Sequence, residues 1–120
     1  MPKILLVDDS PNILELFATV LSKAGFDVMC AADGREARQH LAAGDFDGMV
    51  TDLVMPDFEG LALISGAKLL YPRLRIIAIS GAFGGEFLHT AELMGAHLAL
   101  GKPIRPEMLV QAVSDVLAMN

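Results

Sequence analysis

The chain opens with KILLVDD at residues 3–9, four consecutive apolar residues closed by two acids. A short run that is apolar on both faces predicts a strand buried in a parallel sheet. Ser10-Pro11-Asn12 then opens a helix, with Ser as cap and Pro near the first position. Ile13, Phe17, Val20, Leu21 and Ala24 recur at three- and four-residue spacing and give that helix one apolar face, and Gly25 ends it. The same alternation repeats along the chain. Strands are predicted over residues 26–31, 48–51, 75–79 and 97–100, and helices over 34–43, 61–70, roughly 85–94 and 106–118. In the last helix Leu109, Val113, Val116 and Leu117 form the apolar stripe. Turn residues separate the segments: Asp33-Gly34, Gly44-Asp45, Pro56-Asp57, Tyr71-Pro72, Gly84-Gly85 and Gly95. Strands alternating with helices predict an α/β domain whose parallel sheet is covered by helices on both faces.

Length and composition narrow this picture. At 120 residues the chain fits one domain over 1–120, and it stops just after the fifth helix, leaving no room for an output domain. Apolar residues make up 53 %, enough for a large core at this length. With 15 acidic against 9 basic residues the net charge is -6, which repels nucleic acid phosphates and argues against direct DNA or RNA binding. The single cysteine, Cys30, forms no internal disulfide and reads as a small buried residue of the second strand. No signal peptide opens the chain, and no stretch reaches the roughly 18 apolar residues needed to span a membrane. A cytoplasmic protein is the expectation.

In an open α/β sheet, ligands bind beyond the carboxyl ends of the strands. The first strand ends in Asp8 and Asp9, the third in Asp52 and the fourth in Ser80, while Lys102-Pro103 follows the fifth. Three carboxylates, a hydroxyl and an ammonium thus converge on one edge, and no packing rule requires that. Asp33, Asp45, Asp47 and Asp57 sit in evident loops and read as turn or cap residues. Asp8, Asp9 and Asp52 follow apolar runs, so they lie at the rim of a dry core, where unpaired carboxylates repel one another and need a cation. Oxygen ligands without Cys or clustered His point to a hard ion, and Mg²⁺ fits. Lys102 and Ser80 add a point charge and a hydroxyl donor suited to a phosphoryl group, with Asp52 as nucleophile. His40, His89 and His97 lack metal-ligand spacing, the first two reading as surface. The methionines read as core gap-fillers, and Arg35, Arg38, Arg73 and Arg75 as solvated surface.

VDDS at 7–10, DLVMPDFEG at 52–60, AISGA at 78–82 and GKP at 101–103 together resemble the receiver domains of two-component response regulators, the chemotaxis regulator among them. The resemblance covers essentially the whole chain. It implies a doubly wound (βα)5 fold with the flavodoxin-like strand order 2-1-3-4-5. It makes Asp52 the phosphoacceptor, Asp9 a direct ligand of Mg²⁺, and Asp8 a ligand directly or through water. The backbone carbonyl of Val54 is a further implied ligand. Lys102 is implied to bind a phosphoryl oxygen, Pro103 to follow a cis peptide bond, and Ser80 to be the switch hydroxyl. Gly81 resembles the small residue that leaves access to Asp52, and Pro56 and Gly60 resemble the turn into the third helix. Upstream the resemblance implies a histidine kinase or phosphotransfer protein. Output is expected from the surface of the fourth helix, fifth strand and fifth helix.

The chain departs from the family pattern at Ala99, where many members carry Tyr or Phe that rotates inward when the switch hydroxyl moves. An alanine has no rotamer to switch. Phe83 and Phe87 are nearby in sequence, with an ordinary core role expected of both. Val54 and Ala82 resemble family positions where polar side chains help orient attacking water, and both are apolar here, so slow hydrolysis of the acyl phosphate is expected; an unchanged rate in Val54→Asn counts against it. Gly84-Gly85 reads equally as a hinge or a plain loop. Two other functions compete. A phosphatase of the haloacid dehalogenase type needs an acid two residues after its nucleophile, but Asp52 is followed by Leu53-Val54 and Asp9 by Ser10-Pro11. A receiver-like interaction module that is never phosphorylated keeps the fold without the chemistry.

Overall fold

A computed structural model describes residues 1–53, 59–81 and 85–119, and for residues 59 and 85–88 the backbone alone. Strands and helices alternate: β1 (Lys3–Val7), α1 (Pro11–Lys23), β2 (Asp27–Ala31), α2 (Gly34–Ala43), β3 (Gly48–Asp52), α3 (Glu59–Leu70), β4 (Arg75–Ser80), α4 (Gly85–Met94), β5 (Leu98–Gly101) and α5 (Pro106–Leu117). The five strands form one parallel sheet in the order β2-β1-β3-β4-β5, the doubly wound order expected. Register aligns Val7 with Thr51, Asp52 with Ile79, and Ser80 with Gly101, so the chemistry-bearing residues leave the sheet at one level.

Period-two alternation divides the strand side chains between two cores. Leu5, Val7, Met49, Ile76 and Ala78 pack with Ala37 and Leu41 of α2, Leu63, Ile64 and Ala67 of α3, and Ala91 of α4. Ile4, Leu6, Val50, Ile77 and Ile79 face the other way, against Phe17 and Leu21 of α1 and Leu109, Ala112, Val113 and Val116 of α5. Both faces of β1, β3 and β4 are therefore dry, and burial of each large side chain contributes about 1.5–3 kcal/mol. Local signals set the helix ends. Ser10 caps α1, its Oγ accepting from the Ile13 N–H, and Asp33 caps α2, accepting from the Glu36 N–H at 2.8 Å. After α1 the chain turns at Gly25 with φ 99°, where the Gly25 N–H reaches the Ser22 carbonyl and the Phe26 N–H the Leu21 carbonyl.

Several expectations are corrected. Ala24 is exposed, because α1 has already reached its cap there. Cys30 is half-buried, since β2 is an edge strand. Met49 does fill the core, but Met29, Met108 and Met119 are exposed. His40 is half-buried, whereas His89 is exposed as expected. His97 precedes β5 instead of beginning it. Among the described residues no helix is long and apolar enough to cross a membrane.

Candidate functional site

Asp8, Asp9, Asp52, Ser80 and Lys102 all emerge at the carboxyl edge of the sheet, from β1, β3, β4 and the turn after β5. A carboxylate oxygen from each of Asp8, Asp9 and Asp52 lies within 4.8 Å of the others. Asp8 and Asp52 are buried at 5 % and 6 % exposure, and Ser80 at 4 %, while Asp9 is exposed. The acids are thus rooted in the core and open to solvent on the Asp9 side. Lys102 Nζ stands 3.2 Å from Asp52 Oδ2 and 3.8 Å from Asp8 Oδ2. Its backbone N–H donates to the Ser80 carbonyl at 2.9 Å, fastening the lysine to the end of β4. The Lys102-Pro103 peptide bond is cis.

Burial pushes the Asp8 carboxyl above the ordinary carboxylate range, and the charges of Asp52 and Asp9 push the same way. The Ser10 N–H, which donates to Asp8 Oδ1 at 2.9 Å, and the Lys102 ammonium pull against that rise. Ser10 therefore does two jobs: its side chain caps α1 and its backbone holds Asp8. Only the cap was legible beforehand, although Asp followed two residues later by Ser is also the signature of an Asx turn. Such a cluster demands positive charge, and among the described residues the Lys102 ammonium stands within 4 Å of only two of its three carboxylates, Asp8 and Asp52. The donor set is oxygen throughout and gathered to the size of one ion, which suits a hard divalent cation such as Mg²⁺.

Two glycines shape the site. A Cβ on Gly60, in the first turn of α3, would strike the Asp52 carbonyl oxygen and lie 2.8 Å from the Leu53 Cα. The helix thus packs flush against the backbone that carries Asp52, instead of merely following a turn. A Cβ on Gly81 would meet the stem of Lys102. Ala99 sits half-buried in β5 beside Ala78 of β4 and packs against the α2–α4 core, where Ala91 and Ala96 are also buried. Small side chains fill this region. Val54, Pro56, Asp57, Ala82, Phe83 and Gly84 lie outside the described residues, as does the side chain of Phe87.

His97, just before β5, works at the opposite edge of the sheet from the acids. Its Nδ1 accepts from the Ile76 N–H at 3.1 Å, and its Nε2 stands 3.4 Å from Arg75 Nη1. Burial first, and then the charges of Lys68 and Arg75, hold His97 below the usual imidazole range. Arg75, read as solvated surface, also donates to the Met119 carbonyl at 2.8 Å; Arg35, Arg38 and Arg73 are exposed as expected.

Comparison with known proteins bears on the same residues. The family model described as response regulator receiver domain matches residues 4–114. The chain is 32 % identical over 122 residues to chemotaxis protein CheY1 of Helicobacter pylori, covering 98 % of each. It is 29 % identical over 117 residues to the transcriptional regulatory protein GlrR of Escherichia coli, of which it spans only 26 %. Among solved structures, chemotaxis response regulator CheY4 of Vibrio cholerae superposes with a TM-score of 0.89 at 31 % identity, covering 97 % of this chain and 98 % of that one. A CheY-like receiver domain protein from Methanospirillum hungatei gives 0.92 at 28 % identity, covering 98 % and 94 %. Fold, acidic edge and sequence agree: this chain belongs to the response regulator receiver domain family, the phosphoacceptor switches of two-component signalling.

Proposed function

We propose that Asp52 is the phosphoacceptor and that Lys102 and Ser80 serve the group it receives. The observation that carries this reading is the Lys102 ammonium 3.2 Å from Asp52 Oδ2, within a cluster of three carboxylates. An Asp52 oxygen attacks the phosphorus of a phosphohistidine, forming an aspartyl phosphate as the P–N bond breaks and the imidazole takes up a proton. Lys102 steadies a phosphoryl oxygen, and the Ser80 hydroxyl donates to another. Asp8, Asp9 and Asp52, joined by the Val54 carbonyl, hold Mg²⁺, which when bound supplies neutralising charge to the phosphoryl oxygens. Pro103 shapes the turn that presents Lys102.

The donor is a sensor histidine kinase or a histidine phosphotransfer protein, and the reaction takes place in the cytoplasm. Residues 1–120 act as one receiver unit, catalysing its own phosphorylation and dephosphorylation and no other turnover. Output goes to a protein partner or a further domain through α4, β5 and α5, and the net charge of -6 disfavours direct binding to nucleic acid. Because position 99 is alanine, the signal leaves Ser80 without an aromatic lever at that position.

Incubation with Mg²⁺ and a small phosphodonor, followed by intact mass, tests the reading. A gain of one phosphoryl group that Asp52→Ala loses is the expected result. No gain in the native protein leaves a receiver fold that serves as an unphosphorylated interaction module, and gain retained in Asp52→Ala moves the acceptor elsewhere.

A further inference from the structure

Gly81 follows Ser80 at the end of β4 and is exposed. Its φ lies outside the left-handed region, so the backbone does not require glycine there. A contact does. A Cβ on Gly81 would lie 3.0 Å from Cδ, 3.3 Å from Cβ and 3.6 Å from Cγ of Lys102, whereas ordinary carbon contacts fall at about 3.5–4.0 Å. All three atoms belong to the stem of one side chain. Its backbone cannot easily retreat, because the Lys102 N–H is bonded to the Ser80 carbonyl at 2.9 Å. The stem lies along bare backbone, and from that seat Nζ reaches Asp52 and Asp8.

We propose that Gly81 is a positioning residue for phosphoryl transfer: its missing side chain is the seat of the Lys102 stem and sets how far the ammonium extends over Asp52. The proposal rests on Asp52 being the phosphoacceptor. It differs from a role in leaving access to Asp52, because it acts through Lys102 and operates before any donor arrives. A side chain at position 81 lifts the stem. The ammonium, whose side chain is already 29 % exposed, then swings toward solvent. Two consequences follow together. The phosphoryl group loses its point charge, and Asp8 and Asp52 lose the ammonium that competes with a metal cation for their oxygens.

The test uses native protein, Gly81→Ala, Gly81→Val, Lys102→Ala and the double variant Gly81→Val with Lys102→Ala, each checked for folding by thermal melt. Phosphoryl gain from acetyl phosphate at saturating Mg²⁺ is followed by intact mass, and Mg²⁺ affinity without donor by calorimetry. Gly81→Val is expected to slow uptake about tenfold and Gly81→Ala about twofold. Both tighten Mg²⁺ binding, toward a limit of about fivefold set by Lys102→Ala. In the Lys102→Ala background, valine at 81 changes neither quantity. Equal slowing with and without Lys102, or a Mg²⁺ affinity that Gly81→Val leaves unmoved, overturns the proposal. Should Gly81→Val fail to fold, the smaller Gly81→Ala decides by the same affinity measurement. Absence of uptake in the native protein removes the reading of Asp52, while the Mg²⁺ titrations still decide whether Gly81 sets Lys102.

Discussion

At the amino-terminal edge of the sheet, charged and polar groups are spent on joining strands, whereas at the carboxyl edge they are crowded against one another. Asp47 illustrates the first use: its Oδ2 accepts from the Lys3 N–H at 2.7 Å, its N–H donates to the Lys3 carbonyl, and its own carbonyl accepts from the Arg75 N–H. Arg75 and His97 continue the seam by tying β4 to the chain just before β5 and to Met119 beyond α5. At the other edge Asp8, Asp9 and Asp52 share one neighbourhood, with the Lys102 ammonium beside Asp8 and Asp52. The first arrangement stabilises the folded chain unaided. The second crowds like charges at the rim of the core and raises the Asp8 carboxyl, the pattern of an edge suited to chemistry.

The largest effect expected from breaking this contrast is at Gly60. Gly60→Ala drives a methyl group into the backbone at Asp52 and Leu53, and unlike the flexible stem beside Gly81 that backbone cannot yield. A loss of about 3 kcal/mol in urea denaturation is expected. Next comes His97→Ala, which leaves the Ile76 N–H without its partner and costs about 2 kcal/mol in the same assay.

Acid separates the edges by sign. The native state holds His97 below its unfolded value of about 6.5, so the unfolded chain takes up the proton first. Stability contributed at His97 is lost as pH falls below that value and levels off once the native imidazole is protonated. Asp8 runs the other way: its native carboxyl is raised above 3.8, so the folded state binds the proton first and gains stability as pH falls through that raised value. Urea midpoints from pH 7.5 to 5.5 should decline less in His97→Ala than in the native protein.

Asp8→Asn sharpens the same contrast. In metal-free buffer it removes a buried charge while keeping an oxygen for the Ser10 N–H, and a gain on the order of 1 kcal/mol is expected. Added Mg²⁺ should erase that advantage, because the native protein gains more from binding it. A variant no more stable than the native protein without metal would show that Lys102 already satisfies the cluster. Ser10→Ala has the smallest expected effect, about 0.5 kcal/mol, since the cap bond to Ile13 is long at 3.4 Å.

The features legible in the sequence were local ones. Apolar runs, caps and turn residues located every strand and helix, with most ends displaced by no more than a residue or two, and the acids fell at strand ends because the runs stop there. Unread features depend on register between distant segments. Arg75 looked like surface because nothing nearby in sequence shows that it meets His97 and Met119. Cys30 looked buried because alternation cannot tell an edge strand from a central one. Gly60 and Gly81 were matched to a motif, but the reason for each, a backbone or a lysine stem within contact distance, exists only after folding.

Lys102 lies 50 residues after Asp52. At roughly 5–20 residues per second a ribosome delivers it about 3–10 s later. During that interval the growing chain carries all three acids without the ammonium that faces them. Until β5 has joined the sheet, those acids must be neutralised by cations from solution instead of by the protein's own lysine.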